Sequence, residues 1–229
     1  MTIERAIVLV GSAKPAGAST SEALGRYLCA RLAERGVATT LMVTRGSPRS
    51  PVEETLAAAL VDADLFVLVS PLYVDSLPYL VTRTLEYLAR SSSPRRPSAA
   101  FAAVINCGFP EAEQCRTALD ILRAFARRTR LDWAGGLALG EGEAIGGRSL
   151  EALGGLTRHV RTALDRAAVE LAGGRAVPAD AVERFARRLI PGRVYTFMGN
   201  MGWRRRAAQN RVASSLDARP FDIDATASR

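Results

Sequence analysis

The chain has little of what most acid–base and metal chemistry uses. Its 229 residues include one histidine, His159, and three cysteines, Cys29, Cys107 and Cys115. The cysteines form no CxxC pair and no zinc spacing, and no cluster of His, Cys and carboxylates points to a metal site. An odd cysteine count without a secretory signal argues against a disulfide framework and for a reducing, cytoplasmic setting. Cys107 is not expected to act as a nucleophile, because the sole imidazole falls in a helical stretch elsewhere. Residues 1–10 have neither the basic start nor the long apolar stretch of an export signal. Asp62 and Asp64 interrupt the most apolar region, so no membrane span is expected. Aromatics make up only 6% of the chain, leaving aliphatic residues and alanine to do most of the packing.

Positive charge is present in excess and is local. There are 31 Lys plus Arg against 23 Asp plus Glu, a formal +8, and Lys14 is the single lysine. Between Asp180 and Arg211 eight arginines stand against two acids, which accounts for about +6 of that excess. Such a surface attracts phosphates, anionic lipid or nucleic acid, or is simply a solvated helix face followed by a basic tail.

The hydrophobic pattern alternates between two periods. RAIVLVG (5–11) reads as a buried strand, followed by a loop of small residues and a helix with Leu24, Tyr27, Leu28 and Leu32 on one face. Ser19, three residues before Glu22, reads as a capping box, and Gly36 ends the helix. Further strands are expected at Val37–Val43, Leu65–Ser70, Phe101–Asn106 and Leu131–Leu139. Helices are expected at 52–60 behind Pro51, Leu77–Arg90, 111–128 and 149–171, with SSSPRRPS as a polar loop. Five strands alternating with five helices imply a parallel sheet covered on both faces, and suit the strand order 2-1-3-4-5. In such sheets ligands sit beyond the carboxyl ends of the strands, so the turns after strands one, three and four are the places to inspect. The domain is expected to span 1–172. Residues 173–229 form an extension with a helix at 178–190, ended by Pro191-Gly192, and an Arg-rich tail. Tyr195, Phe197, Met198, Met201 and Trp203 make that tail too apolar for water, so it is expected at a subunit interface.

Three loops could carry chemistry. Between the first strand and helix, Ser12, Lys14, Ser19, Thr20 and Ser21 lie where free helix N–H groups favour a phosphate. The loop has neither GK[ST] nor GxGxxG, which argues against an NTPase; a plain polar turn with a helix cap is the other reading. After the third strand, Pro71, Leu72, Tyr73, Val74 and Asp75 could pack on a flat ring, or Asp75 could merely cap the next helix. After the fourth, Asn106, Cys107, Gly108 and Phe109 combine polar atoms with a glycine that admits close approach of a ligand.

SPLYVDSLP, INCGFPEAEQCRTAL and WAGGLALGEGEAIGG, with the GSAK…STS loop and the GN-x-GWRRRAAQNR tail, resemble the flavodoxin-like NAD(P)H-dependent FMN reductases. The resemblance implies a flavodoxin-like three-layer α/β sandwich with a C-terminal helical extension. It implies FMN, its phosphate on residues 12–21 and its ring between residues 71–76 and 106–109. It further implies NAD(P)H as electron donor, a small-molecule electron acceptor such as a quinone or free flavin, and a homodimer. Members often carry Arg and Asn in the phosphate loop where this chain has Lys14 and Ala18. Two other classes stand beside this one: a flavodoxin-type electron carrier, disfavoured by the positive charge, and a non-catalytic module whose basic tail meets nucleic acid or lipid. No catalytic side chain is nominated.

Overall fold

The computed structural model describes residues 2–44, 52–91 and 99–218. Five strands form one all-parallel sheet: β1 (Arg5–Val10), β2 (Ala38–Val43), β3 (Leu65–Pro71), β4 (Ala100–Asn106) and β5 (Asp132–Leu139), in the order β2-β1-β3-β4-β5. The expected order therefore holds. Helices α1 (Thr20–Ala33), α2 (Val52–Ala59), α3 (Tyr79–Arg90), α4 (Arg116–Thr129) and α5 (Arg158–Ala172) alternate with the strands. Pro51 and the expected polar loop at 92–98 lie outside the described residues.

Strand pleating divides the core into two layers. Ala6 and Val8 point to one side with Leu24, Leu28, Val160 and Leu164 of α1 and α5. Ile7 and Leu9 point to the other with Leu56, Val81, Leu85 and Leu122 of α2, α3 and α4. Four aromatics meet in this second layer: Phe101 stacks on Phe66 at 5.0 Å between centroids and meets Phe125 and Trp133 edge-on. At about 1.5–3 kcal/mol for each large side chain removed from water, these layers drive folding. Asp64, buried just before β3, ties the start of β1 to the sheet by accepting the Glu4 and Arg5 N–H groups at 2.9 and 3.0 Å.

Three expected elements start or stop elsewhere. The helix expected at 149–171 begins only at Arg158, because Gly154 takes a left-handed φ of +53° and breaks the preceding turns. The helix expected at 111–128 opens as a 3₁₀ turn (Ala112–Cys115) before α4. The helix expected at 178–190 is the short α6 (Ala179–Phe185).

The chain forms two compact units, Met1–Leu189 and Ile190–Arg229. The first thus runs past the boundary expected at residue 172. Ala181 and Phe185 of α6 are fully buried in the layer with α5, and Val177 N–H donates to the β5 carbonyl of Ala134 at 2.7 Å. The buried Glu141 carboxylate accepts the Leu189 N–H at 2.7 Å and fixes the unit's last residue. The second unit holds α7 (Gly192–Gln209), in which only Ala207 is buried. No helix among the described residues is long and apolar enough to cross a membrane.

The turn between β3 and α3 carries backbone strain. Tyr73 N–H donates to Ser76 O at 2.9 Å and Ser76 N–H to Tyr73 O at 3.1 Å, while Val74 and Asp75 between them have φ of +47° and +60°. Two successive positive φ values define a type I′ turn, whose favoured pair is Asn-Gly. Val74 is β-branched and 98% exposed, so no packing offsets its strain. Replacing Val74-Asp75 by Asn-Gly is expected to raise unfolding stability by about 1–2 kcal/mol; an unchanged or lower denaturation midpoint would contradict this.

Candidate functional site

The carboxyl ends of β1, β3, β4 and β5 lie in register along one edge of the sheet. Val10 pairs with Val69, Pro71 with Asn106, and Asn106 with Leu139. Strand order reverses between β1 and β3, the place where doubly wound sheets open a crevice. A cleft of about 40 Å³ opens there. Its walls are Ser12, Lys14, Ser19, Thr20 and Ser21 from the first loop, Pro71, Leu72 and Tyr73 from the second, and Asn106, Cys107 and Gly108 from the third. The three loops singled out in the sequence thus meet. Val74, Asp75 and Phe109 are not in the cleft wall but follow its residues directly along the chain, all solvent-exposed.

Gly142 and Glu143 complete the wall from a fourth loop, after β5, which the sequence reading did not place at the site. The signal was present in Gly140-Glu141-Gly142-Glu143, a glycine-rich turn at a strand's carboxyl end. The glycines are there for close approach. A Cβ on Gly142 would sit 2.9 Å from Asn106 Oδ1, and one on Gly147, at φ +80°, only 2.3 Å from Gly17 O.

Buried polar side chains bind the four loops together. Asn106 Nδ2 donates to Ser21 Oγ at 2.7 Å and to Ser70 O at 3.2 Å. Thr20 Oγ1 donates to Gly142 O at 2.7 Å. The hydroxyl of Thr20 is thereby committed to the scaffold, and that of Ser21 is held as an acceptor. Lys14 Nζ meets Glu143 Oε1 at 3.0 Å, linking the first and fourth loops across the cleft. Both side chains are well exposed, and such pairs are weak and easily parted.

The start of α1 gives the site its polarity. Ser19 caps the helix, its Oγ accepting Glu22 N–H and its carbonyl accepting Ala23 N–H. Glu22 closes back onto the loop by accepting Gly17 N–H at 3.0 Å, and it pairs with Arg26. The N–H groups of Thr20 and Ser21 precede the first intrahelical bond, and both residues line the cleft. Ser12 Oγ accepts Lys14 N–H at 3.3 Å and keeps its own proton to donate. N–H groups at a helix N-terminus, two adjoining hydroxyls and one lysine are a donor set for an anion. His159 lies elsewhere, its Nε2 3.0 Å from Arg187 O, and burial lowers its pKa from the ordinary imidazole value. Among the described residues no group of His, Cys, Asp and Glu could hold a metal ion.

No family model and no curated protein matches the sequence. Solved structures do match the fold. An azoreductase from Bacillus anthracis str. Sterne aligns with a TM-score of 0.50 at 12% identity, over 75% of this chain and 99% of its own. A flavodoxin from the domain Archaea aligns with the same score and identity, over 74% and 97%. The five-stranded parallel sheet, its strand order and these likenesses together establish a flavodoxin-like fold.

Proposed function

We propose that this chain is an FMN-dependent oxidoreductase that takes hydride from NAD(P)H and passes electrons to a small organic acceptor. The observation that carries this reading is the α1 N-terminus. It offers the Thr20 and Ser21 N–H groups, with the Ser12 and Ser19 hydroxyls beside them, at the crevice where this fold binds ligands. That donor set fits a phosphate monoester. Lys14 supplies a cation once it leaves Glu143. Leu72, Tyr73 and Gly108 offer an apolar wall and a glycine beside it for a planar ring, with the exposed Val74, Asp75 and Phe109 next along the chain. Bound FMN would supply the two-electron chemistry, and the protein its position and electrostatic setting.

The residues divide between two roles. Ser12, Ser19 and the α1 backbone hold the phosphate, while Asn106 and the Thr20 and Ser21 side chains keep the loops at the spacing that grip requires. The strained Tyr73–Ser76 turn presents its backbone and the Tyr73 ring at the cleft without any side chain acting as acid or base. Flavodoxin and azoreductase neighbours share this scaffold, which supports the flavin reading. An electron carrier on the same scaffold would bind FMN but not oxidise NAD(P)H.

Purified protein mixed with FMN is expected to show a perturbed flavin spectrum that NADH or NADPH bleaches anaerobically. Absence of any FMN binding would overturn the proposal, and binding without bleaching would favour the carrier.

We further propose a homodimer. Val194, Phe197, Met198 and Met201 fall at i, i+3, i+4 and i+7 on α7, one exposed apolar stripe, which a second copy would cover. The double variant Phe197→Glu, Met201→Glu is expected to halve the mass measured by light scattering. A mass unchanged from wild type would contradict the stripe as the interface.

A further inference from the structure

The second compact unit carries positive charge that no acid within it balances. In the first unit arginines find carboxylates: Arg26 pairs with Glu22, Arg83 with Glu53, Arg166 with Asp180 and Arg188 with Glu111. From Ile190 to Leu216 the chain has five arginines and no acid. Arg193, Arg204, Arg205, Arg206 and Arg211 are exposed and form no ion pair among the described residues. Four of them crowd into residues 204–211, at the end of α7 and just past it. The negative end of the helix dipole accounts for a cation in the last turn. A crowd of four is another matter, because like charges without a counter-charge repel and work against the compact state.

An indole stands among these arginines. Trp203 is 71% exposed, and among the described residues no ring or cation stacks on it. Trp203, Arg206 and Asn210 fall at i, i+3 and i+7, so they share one face of the helix, and all three are exposed. That face is turned away from the stripe of Val194, Phe197, Met198 and Met201 and leaves the stripe free for a second copy. Arg211 follows at φ +59°, where the chain leaves the helix, and Arg204 and Arg205 add positive field from the same turn as Trp203.

We propose that this end of α7 is a binding surface for single-stranded nucleic acid, with Trp203 stacking on a base and Arg206 and Arg211 meeting the flanking phosphates. An exposed ring beside unpaired cations suits a strand with splayed bases, since every base has a flat face and every link an anion. A duplex keeps its bases stacked on one another and out of reach of the ring. A lipid surface takes up a broad apolar face, and Trp203 is the one large apolar side chain on this one. The inference does not depend on the flavin reading of the cleft.

The test is fluorescence anisotropy of a labelled oligothymidylate titrated with the full-length protein over a range of salt. Wild type is expected to bind with a dissociation constant of about 10⁻⁶ M near about 50 mM salt, and log K to fall against log salt with a slope of about −2 to −3. Trp203→Ala is expected to weaken binding at least about fivefold without changing that slope, and Trp203→Phe to restore most of the loss. The double variant Arg206→Gln, Arg211→Gln should instead flatten the slope by about 1.4. No binding at the lowest salt, equal affinity for a duplex of the same length, or Trp203→Ala binding as tightly as wild type would overturn the proposal. Binding to phosphatidylglycerol vesicles in place of the oligonucleotide would overturn it in favour of a lipid surface.

Discussion

Everything at the carboxyl edge of the sheet depends on one buried carboxamide. Asn106 ends β4 and reaches sideways to the first turn of α1 through Ser21 Oγ and to the last residues of β3 through Ser70 O. The loop after β5 approaches so closely that only Gly142 fits against it. Four segments far apart in sequence are thereby held to one spacing. Leaving those buried partners unpaired would cost about 1–3 kcal/mol each, a large fraction of the stability of a domain this size. A side chain that braces loops in this way need not touch a ligand to decide whether the site binds one.

The electrostatics of the site are local. The +8 of the chain is concentrated after residue 180, whereas the cleft has a single lysine that is engaged by Glu143. Attraction for an anion at the cleft therefore rests on helix N–H groups and hydroxyls, which are fixed in place and cost no reorganisation. The Lys14–Glu143 pair acts as a weak clasp, because both groups remain in contact with solvent and lose little by parting. A clasp of this kind opens to an incoming anion at little cost.

The fold was legible because two independent signals agreed. Continuous apolar runs such as LFVLVS mark strands buried on both faces, and the helical stripes between them demand right-handed crossovers into a parallel sheet. The three loops of the cleft followed from the rule that ligands gather at strand ends. What the sequence hid was of two sorts. Gly154 and Thr157 set the true start of α5 through backbone conformation, which hydrophobic spacing does not record. The Glu141–Leu189 bond and the packing of Phe185 carry the first unit past residue 172 through contacts distant along the chain. The loop after β5 was hidden for the same reason. Its glycines look like a flexible turn until Asn106 and Gly17 are placed against them.

The central claim is that the start of α1 grips the phosphate of a flavin mononucleotide. The most direct measurement compares FMN with riboflavin, which lacks only that phosphate, by calorimetric titration of the same protein. Charge-assisted hydrogen bonds to a phosphate contribute about 1.5–3 kcal/mol each, so two of them place FMN affinity at least about 100-fold above that of riboflavin. Equal affinities for the two would contradict the account.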